Sequence, residues 1–449
     1  METGGVGVFL VIFFIVFLLL GMRIGSLLLT LGILGIYLLF DTRLAGILQI
    51  DPFNIAAAYS LTPIPMFIFM AHCIMRADIL DHIYYVAFKV SKGRPGILGA
   101  LTVFIGGFLG AVSGSGTAIS AALTTTVSPQ LEKTGFSKNL SVATAAIGGS
   151  LAAIIPPSIN LIIYGSLTET SVGQLFMGAL IPGLLLMTVY AFCVAGTYQL
   201  LEKPKMKALN REEAAASVDI DVSSILGKEF KLKDTIIAFI MGILLVVIIL
   251  GGIYTGVFTP TEAAAIATAV SLLFCIYLRK LDLAFLKKAL FETGKITSMM
   301  LFILICAQIF GRLISLIKLP AAIIATLDPI LDKTFLILIL LMVFYFLLGM
   351  FLESVAGMIM AIPVTLPIMD VVGIDPLWFG VMVGMLLCIG LVTPPIGMAV
   401  FSAAGVSGAP LSRLFSYNMV WALIGFIIVG GLMIIFPEIA TWLPSHMKS

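Results

Sequence analysis

Ten stretches of this chain are apolar over the length that a lipid bilayer demands: 6–22, 24–40, 53–75, 140–165, 175–200, 235–251, 262–278, 296–316, 377–403 and 416–436. A helix crosses the hydrocarbon layer in about 20 residues. Overall, 61% of the residues are hydrophobic and 11% charged, against roughly 45–50% and about 25% in soluble domains. That balance excludes a soluble enzyme, a disordered chain and a nucleic-acid binder. The expected fold is an all-α polytopic membrane protein embedded in the lipid bilayer.

Two more apolar segments, 96–129 and 335–369, are too long for one crossing. Each is interrupted near its middle by small or polar residues. Irregular backbone at membrane depth is tolerated only where protein or a cavity surrounds it, so both read as re-entrant hairpins that enter and leave on one side. Val6–Leu20 resembles a signal-peptide core but lacks a basic flank and a small-x-small cleavage site, so it reads as a retained first helix. The five cysteines, Cys73, Cys193, Cys275, Cys306 and Cys388, lie scattered in apolar stretches and read as buried free thiols.

Residues 201–234 form the one long polar segment, with seven Lys/Arg and seven Asp/Glu. It divides the chain into halves, 1–200 and 235–449, with the same order of parts. Each half has three spans, a charged amphipathic stretch (78–94 or 318–333), a hairpin, a span broken by Pro-Pro, and a last span. Phe108–Gly114 (FLGAVSG) and Phe351–Gly357 (FLESVAG) share Phe, Leu, Val and Gly in register, which pairs Gly110 with Glu353. Pro156-Pro157 answers Pro394-Pro395. With five full spans per half, the second half enters the membrane inverted. If the chain starts outside, 20 of the 25 Lys and Arg fall on the inner side, as the positive-inside rule requires. Both termini are then periplasmic and 201–234 cytoplasmic. Inverted repeats with discontinuous helices mark secondary transporters, whose substrate and ion sites lie where the repeats meet.

Three features could carry chemistry. Ser113-Gly114-Ser115-Gly116-Thr117 interrupts the first hairpin and is either a tightly packed small-residue contact or a site. Pro156-Pro157 and Pro394-Pro395 remove helix hydrogen bonds, so carbonyls beside them are expected to be free for a cation or water. Neutral oxygens from Gly148, Gly149, Ser150, Gly390 and Thr393 suit a hard ion such as sodium; the alternative is a kink without a ligand. Glu353 is an ionisable residue within a membrane segment; it is a proton site, an ion ligand or a helix cap, and a cap or local network is preferred because no acid stands at the paired Gly110. Asn160, Tyr164 and Gln308 read as helix-to-helix hydrogen bonds, and Arg312 as a residue near the outer interface that snorkels. The three histidines make no HExxH, and no Walker loop or GxGxxG after a strand is present. The expectation is a protein that is not an enzyme.

These residues resemble a known family. Phe104–Leu123 (FIGGFLGAVSGSGTAISAAL), Ile147–Gly165 (IGGSLAAIIPPSINLIIYG), Gly178–Gly183 (GALIPG), Leu348–Pro367 (LGMFLESVAGMIMAIPVTLP), Gly373–Pro376 (GIDP) and Gly390–Gly397 (GLVTPPIG) are similar to the large membrane subunit, M or DctM-type, of tripartite ATP-independent periplasmic (TRAP) transporters. The resemblance spans essentially the whole chain; the 201–234 linker looks long for the family. It implies an elevator-type importer in the bacterial inner membrane, driven by Na+, that moves organic acids such as dicarboxylates or sialic acids. It also implies a small four-helix membrane subunit and a periplasmic substrate-binding protein as partners. On this chain the implied sodium residues are Ser113, Ser115, Gly149, Ile154 and Pro156 in the first half, and Gly357, Gly390, Thr393 and Pro395 in the second. The implied substrate residues between them are Gly114, Thr117, Ser158 and Ser354. A stand-alone ion-coupled carboxylate carrier of similar architecture, and an intramembrane enzyme, are the alternatives.

Overall fold

The computed structural model describes residues 13–14, 16–17, 20–40, 45–204 and 232–447. Span 6–22 and linker 201–234 fall largely outside them. Every regular element among the described residues is helical. In chain order the helices are α1 (Ile24–Phe40), α2 (Ala45–Ala56), α3 (Pro63–Arg76), α4 (Ile79–Ser91), α5 (Pro95–Ser113), α6 (Gly116–Thr126), α7 (Ser128–Lys133), α8 (Lys138–Ser150), α9 (Ile159–Thr168) and α10 (Val172–Thr197). After the linker come α11 (Leu232–Val246), α12 (Pro260–Tyr277), α13 (Leu283–Leu316), α14 (Leu319–Leu327), α15 (Thr334–Phe351), α16 (Ser354–Val372), α17 (Pro376–Gly390), α18 (Met398–Ser407), α19 (Leu411–Gly425) and α20 (Glu438–Ser445). Among the described residues, seven continuous helical stretches are long and apolar enough to cross a membrane, or eight with the bent pair Ile50–Ala56 and Tyr59–Arg76.

The count differs from ten because several expected spans are not single helices. Span 53–75 is broken before Pro63 and bends by 46°. Spans 140–165 and 377–403 each divide at their Pro-Pro pair, into α8 and α9 and into α17 and α18. Conversely, the span expected at 296–316 belongs to a 34-residue helix that starts at Leu283. Lys287, Lys288 and Lys295, read from sequence as loop residues, are helical. Side chains fix many of the starts: Ser115, Ser137, Ser171, Asp282, Glu353 and Asp375 each accept a hydrogen bond from the first turn of the helix they precede. Thr259 and Glu262 form a capping box at α12.

Two parallel helix pairs join the halves. Along α3 and α12, Thr268 Oγ1 donates to the Met66 carbonyl (2.8 Å), Cys275 Sγ to that of Cys73 (3.2 Å) and Lys280 Nζ to that of Ala77 (3.2 Å). Positions rise together, so the helices run in one direction. Their ends are bracketed by Arg76–Asp282 (2.6 Å) and Lys280–Asp78 (2.8 Å). In the second pair, small residues of α1 let α13 approach closely. A Cβ at Gly25, Gly32 or Gly35 would stand 2.9, 2.8 or 2.4 Å from Phe302, Ile309 or Leu313. Arg312 does not snorkel alone: its Nε lies 3.1 Å from the carboxylate of buried Asp51.

The amphipathic stretches form α4 and α14. Each starts after a residue in the left-handed region, Asp78 (φ 56°) and Lys318 (φ 54°). The sequence of 78–94 suggests an apolar face of Ile79, Ile83, Val86 and Val90, of which only Ile79 is fully buried. The buried face of α4 runs through Ile79, Tyr84, Ala87, Phe88 and Ser91, and Val90 is exposed. Four cysteines are buried and Cys193 is half-buried; all five are free.

Candidate functional site

The core is built from the two hairpins, α5–α6 and α15–α16, and the two broken helices, α8–α9 and α17–α18. Within the first half α5 and α6 both pack on α8. The approach is close because glycines line it. A Cβ at Gly106 would stand 2.6 Å from the Gly148 backbone, one at Gly110 2.6 Å from Ala152, and one at Gly149 2.3 Å from Ser120 Oγ. Ser120 was not singled out from sequence. Its hydroxyl lies 2.8 Å from the Gly116 carbonyl and 3.0 Å from that of Ala146, so it bridges α6 and α8.

The first tip is the Gly114-Ser115 turn. Gly114 adopts φ +67°, and its Cα lies against Ile159, where a Cβ would clash at 2.5 Å. Glycine alone meets both demands. Ser115 Oγ accepts from the Ala118 N–H (3.4 Å) and lies 3.2 Å from Thr117 Oγ1. The Gly149 carbonyl faces Gly116 across the α6–α8 contact. Gly114 against Ile159 and Gly116 against Gly149 thus set the tip beside the 149–159 segment. The Ser113 side chain lies outside the described ones.

The second tip is Leu352-Glu353, where Glu353 caps α16 by accepting from the Val355 N–H (3.0 Å). Gly357 faces Leu348 and Leu387, and Gly390 meets Gly349 backbone to backbone. The carbonyl of Met350, beside this tip, accepts from the Gly397 N–H (3.1 Å), which ties the hairpin to the second break. The peptides Pro156-Pro157 and Pro394-Pro395 are both cis.

Several carbonyls beside the breaks are already paired. At the first, the Leu151 carbonyl accepts from Ile154 and Ile155 N–H, at 3.1 and 3.0 Å. That of Ala153 accepts from Ser158 Oγ (2.8 Å) and Asn160 Nδ2 (3.3 Å). At the second, the Leu391 carbonyl accepts from the Ala399 N–H (3.0 Å), and the Ile389 carbonyl from Thr393 Oγ1 (2.8 Å). A buried carbonyl left unpaired costs about 1–3 kcal/mol, and nearby groups remove that cost before any ion binds. Ser158 and Thr393 therefore already donate internally; each keeps an oxygen lone pair. Ile154 is wholly buried at the first break. The Ser354 hydroxyl and Asn160 Oδ1 are buried with no partner.

The broken helices cross between halves. Cys388 Sγ reaches Ser150 Oγ at 3.8 Å, Leu391 packs on Gly116, and Ile154 and Leu161 pack on Gly384. Tyr164 lies over Gly380 and donates to the Pro376 carbonyl (2.7 Å). Ser402 Oγ donates to the Thr117 carbonyl (2.9 Å). Corresponding helix starts lie at nearly the same separation: Gly116 and Ser354, like Lys138 and Pro376, are 238 residues apart, Pro95 and Thr334, like Ile159 and Met398, 239, and Ile79 and Leu319 240. The Gly116–Ser354 register would set Glu353 opposite Ser115, whereas the motif match sets it opposite Gly110. The donors gathered at the first break and tip are neutral hydroxyl, carbonyl and carboxamide oxygens, a set that fits a hard monovalent cation. Among the described residues no group of three or more His, Cys, Asp or Glu gathers to hold a metal.

The family profile "Tripartite ATP-independent periplasmic transporter, DctM component" matches residues 11–442. The chain is similar to the C4-dicarboxylate TRAP transporter large permease protein DctM of Pseudomonas aeruginosa, at 29% identity over 91% of this chain and 90% of that one. It is likewise 29% identical to the sialic acid TRAP transporter large permease protein SiaM of Vibrio cholerae, over 86% of each. Among solved structures, the Alcanivorax borkumensis YdaH transporter superposes with TM-score 0.63 and 14% identity, over 94% of this chain and 99% of that one. The likeness extends to a fold described as an unusual topology. These relatives are permeases, not enzymes. The chain is therefore a multi-pass inner-membrane protein that belongs to the tripartite ATP-independent periplasmic transporter family as its DctM component, the large permease subunit.

Proposed function

We propose that this chain imports an organic acid, of the dicarboxylate or sialic-acid-like class, in symport with sodium. The observation that carries the reading is the packing of both hairpins and both Pro-Pro breaks into one core, with neutral oxygens at the first tip. Sodium fits those donors because it is hard and monovalent, and a neutral shell lets it leave again. The names of the relatives, one for C4-dicarboxylates and one for sialic acid, support the substrate class. Family membership carries partnership with a small membrane subunit and a periplasmic binding protein; the small subunit is proposed to have four helices.

The transport step we infer is elevator-like. The hairpins and broken helices move as a body against the scaffold formed by α1 with α13 and α3 with α12. The arms α4 and α14 link the two. The ion pairs at the ends of α3 and α12 hold those ends on one side of the membrane, which agrees with the proposed orientation: termini periplasmic, linker 201–234 cytoplasmic. The two halves are read as inverted repeats, and their nearly equal helix spacing supports that reading.

The test is uptake into proteoliposomes. This chain, the small subunit and the binding protein together are expected to accumulate labelled substrate only when sodium is higher outside. This chain alone is expected to transport little. Strong uptake by the chain alone would favour a stand-alone carrier, and uptake indifferent to sodium would remove the coupling.

A further inference from the structure

The carboxamide of Asn160 sits at the first break. Its Nδ2 donates to the Ala153 carbonyl. That bond fixes which end is oxygen, because a reversed amide would set two acceptors face to face with no proton between them. Oδ1 therefore turns away from Ala153, and it is buried with no donor in reach; the residue is 2% exposed. Its chain neighbours locate it. Ile159 packs on Gly114 of the first tip, and Leu161 on Gly384 of α17. The Ala153 carbonyl that holds the carboxamide itself stands 3.6 Å from where a Cβ on Gly384 would be, so Asn160 lies at the first break beside α17.

Capping does not explain an asparagine here. Ser158 already satisfies the Ala153 carbonyl. At the second break the carbonyl 238 residues further on, Leu391, is satisfied by a backbone N–H, and Met398 follows with no polar group at all. A buried acceptor without a donor is unfavourable, and hydrocarbon offers no water to relieve it. A neutral hard oxygen is also what a sodium ion prefers among protein donors.

We propose that Oδ1 of Asn160 is a ligand of the coupling cation at the first break. This rests on the sodium-coupled reading above and adds a residue that the sequence motifs did not assign to the ion. The site then takes its oxygens from the tip, from the break and from the first turn of α9.

The test is sodium-dependent melting of the full chain, purified with its small subunit and titrated with NaCl against choline chloride at constant ionic strength. A ligand that binds the folded state raises the melting temperature in proportion to its occupancy. Wild type is expected to show a sodium-specific rise. In Asn160→Leu and Asn160→Ala the sodium concentration for half the rise is expected to increase about tenfold or more, the loss of one strong oxygen contact. Asn160→Asp keeps an oxygen there and is expected to keep the response, which guards against reading a folding defect as lost binding. An Asn160→Leu protein whose sodium midpoint equals that of wild type would overturn the proposal and leave the coupling intact. A wild type with no sodium-specific rise would overturn both.

Discussion

Cys388 and Ser150 stand 238 residues apart in sequence and touch at the centre of the molecule, thiol to hydroxyl at 3.8 Å. Ser150 is thirteenth in α8 and Cys388 thirteenth in α17. Equivalent positions that meet are what a two-fold relation between the proposed halves requires, since only atoms near the axis can approach their own counterparts. The contact joins the first broken helix to the second.

The orientation makes a labelling prediction. On a cysteine-free background, Ser445→Cys is expected to react with an impermeant maleimide applied to intact spheroplasts, and Ala215→Cys to be spared. The reverse pattern would invert the topology.

The first tip makes an ion prediction. Ser115→Ala removes a hydroxyl from the Ser115–Thr117 pair. Losing one hydrogen-bond-like contact to a charged group costs roughly 1.5–3 kcal/mol, on the order of 10- to 150-fold in affinity. The sodium concentration for half-maximal uptake is expected to rise by that order. Thr393→Val is expected to act less strongly, because its hydroxyl already donates to the Ile389 carbonyl. Lys207→Ala serves as the unaltered control. If both hydroxyl variants keep the wild-type sodium dependence, the tips are packing devices.

Glycine packing makes a stability prediction. Gly149→Ala drives a methyl to 2.3 Å from Ser120 Oγ, and overpacking of this kind costs about 1–3 kcal/mol. The melting temperature is expected to fall. Gly294→Ala, in the interior of α13 with nothing within 4 Å of the added carbon, is expected to be neutral or to stabilise by about 0.5–1 kcal/mol. Equal melting curves for the two variants would show that the α6–α8 contact can open.

His82 on α4 makes a pH prediction. Its Nδ1 lies 3.1 Å from Thr235 Oγ1. Partial burial, then the nearby Lys280 charge, hold its pKa below the ordinary 6.5, against the opposing pull of Asp234, Asp81 and Asp78. The unfolded chain therefore binds this proton first. Stability is full above about pH 6.5 and is lost as pH falls from there through the lowered folded value. His82→Gln is expected to flatten the melting temperature across that window, and an unchanged slope would assign the pH dependence to other groups.

Apolar run length and proline are local properties, and they determined much of this fold. The bilayer, both hairpins, both breaks and the glycine-serine tip follow from residues adjacent in sequence, because each span must satisfy its own backbone and a Pro-Pro pair cannot. The same locality explains the misplacements. Nothing near 296 says that α13 starts at Leu283, and nothing on α4 says that Tyr84 is buried and Val90 exposed. Only the tertiary structure decided which groups satisfy one another across the fold. Arg312 finds Asp51 from 261 residues away, Ser402 finds the Thr117 carbonyl from 285, and the freed carbonyl of Ala153 is taken by Ser158 and Asn160 before any ion arrives. Such pairings depend on distances between elements that hydropathy does not encode. For that reason the position of the candidate site was legible in the sequence, while the buried, donorless oxygen of Asn160 was not.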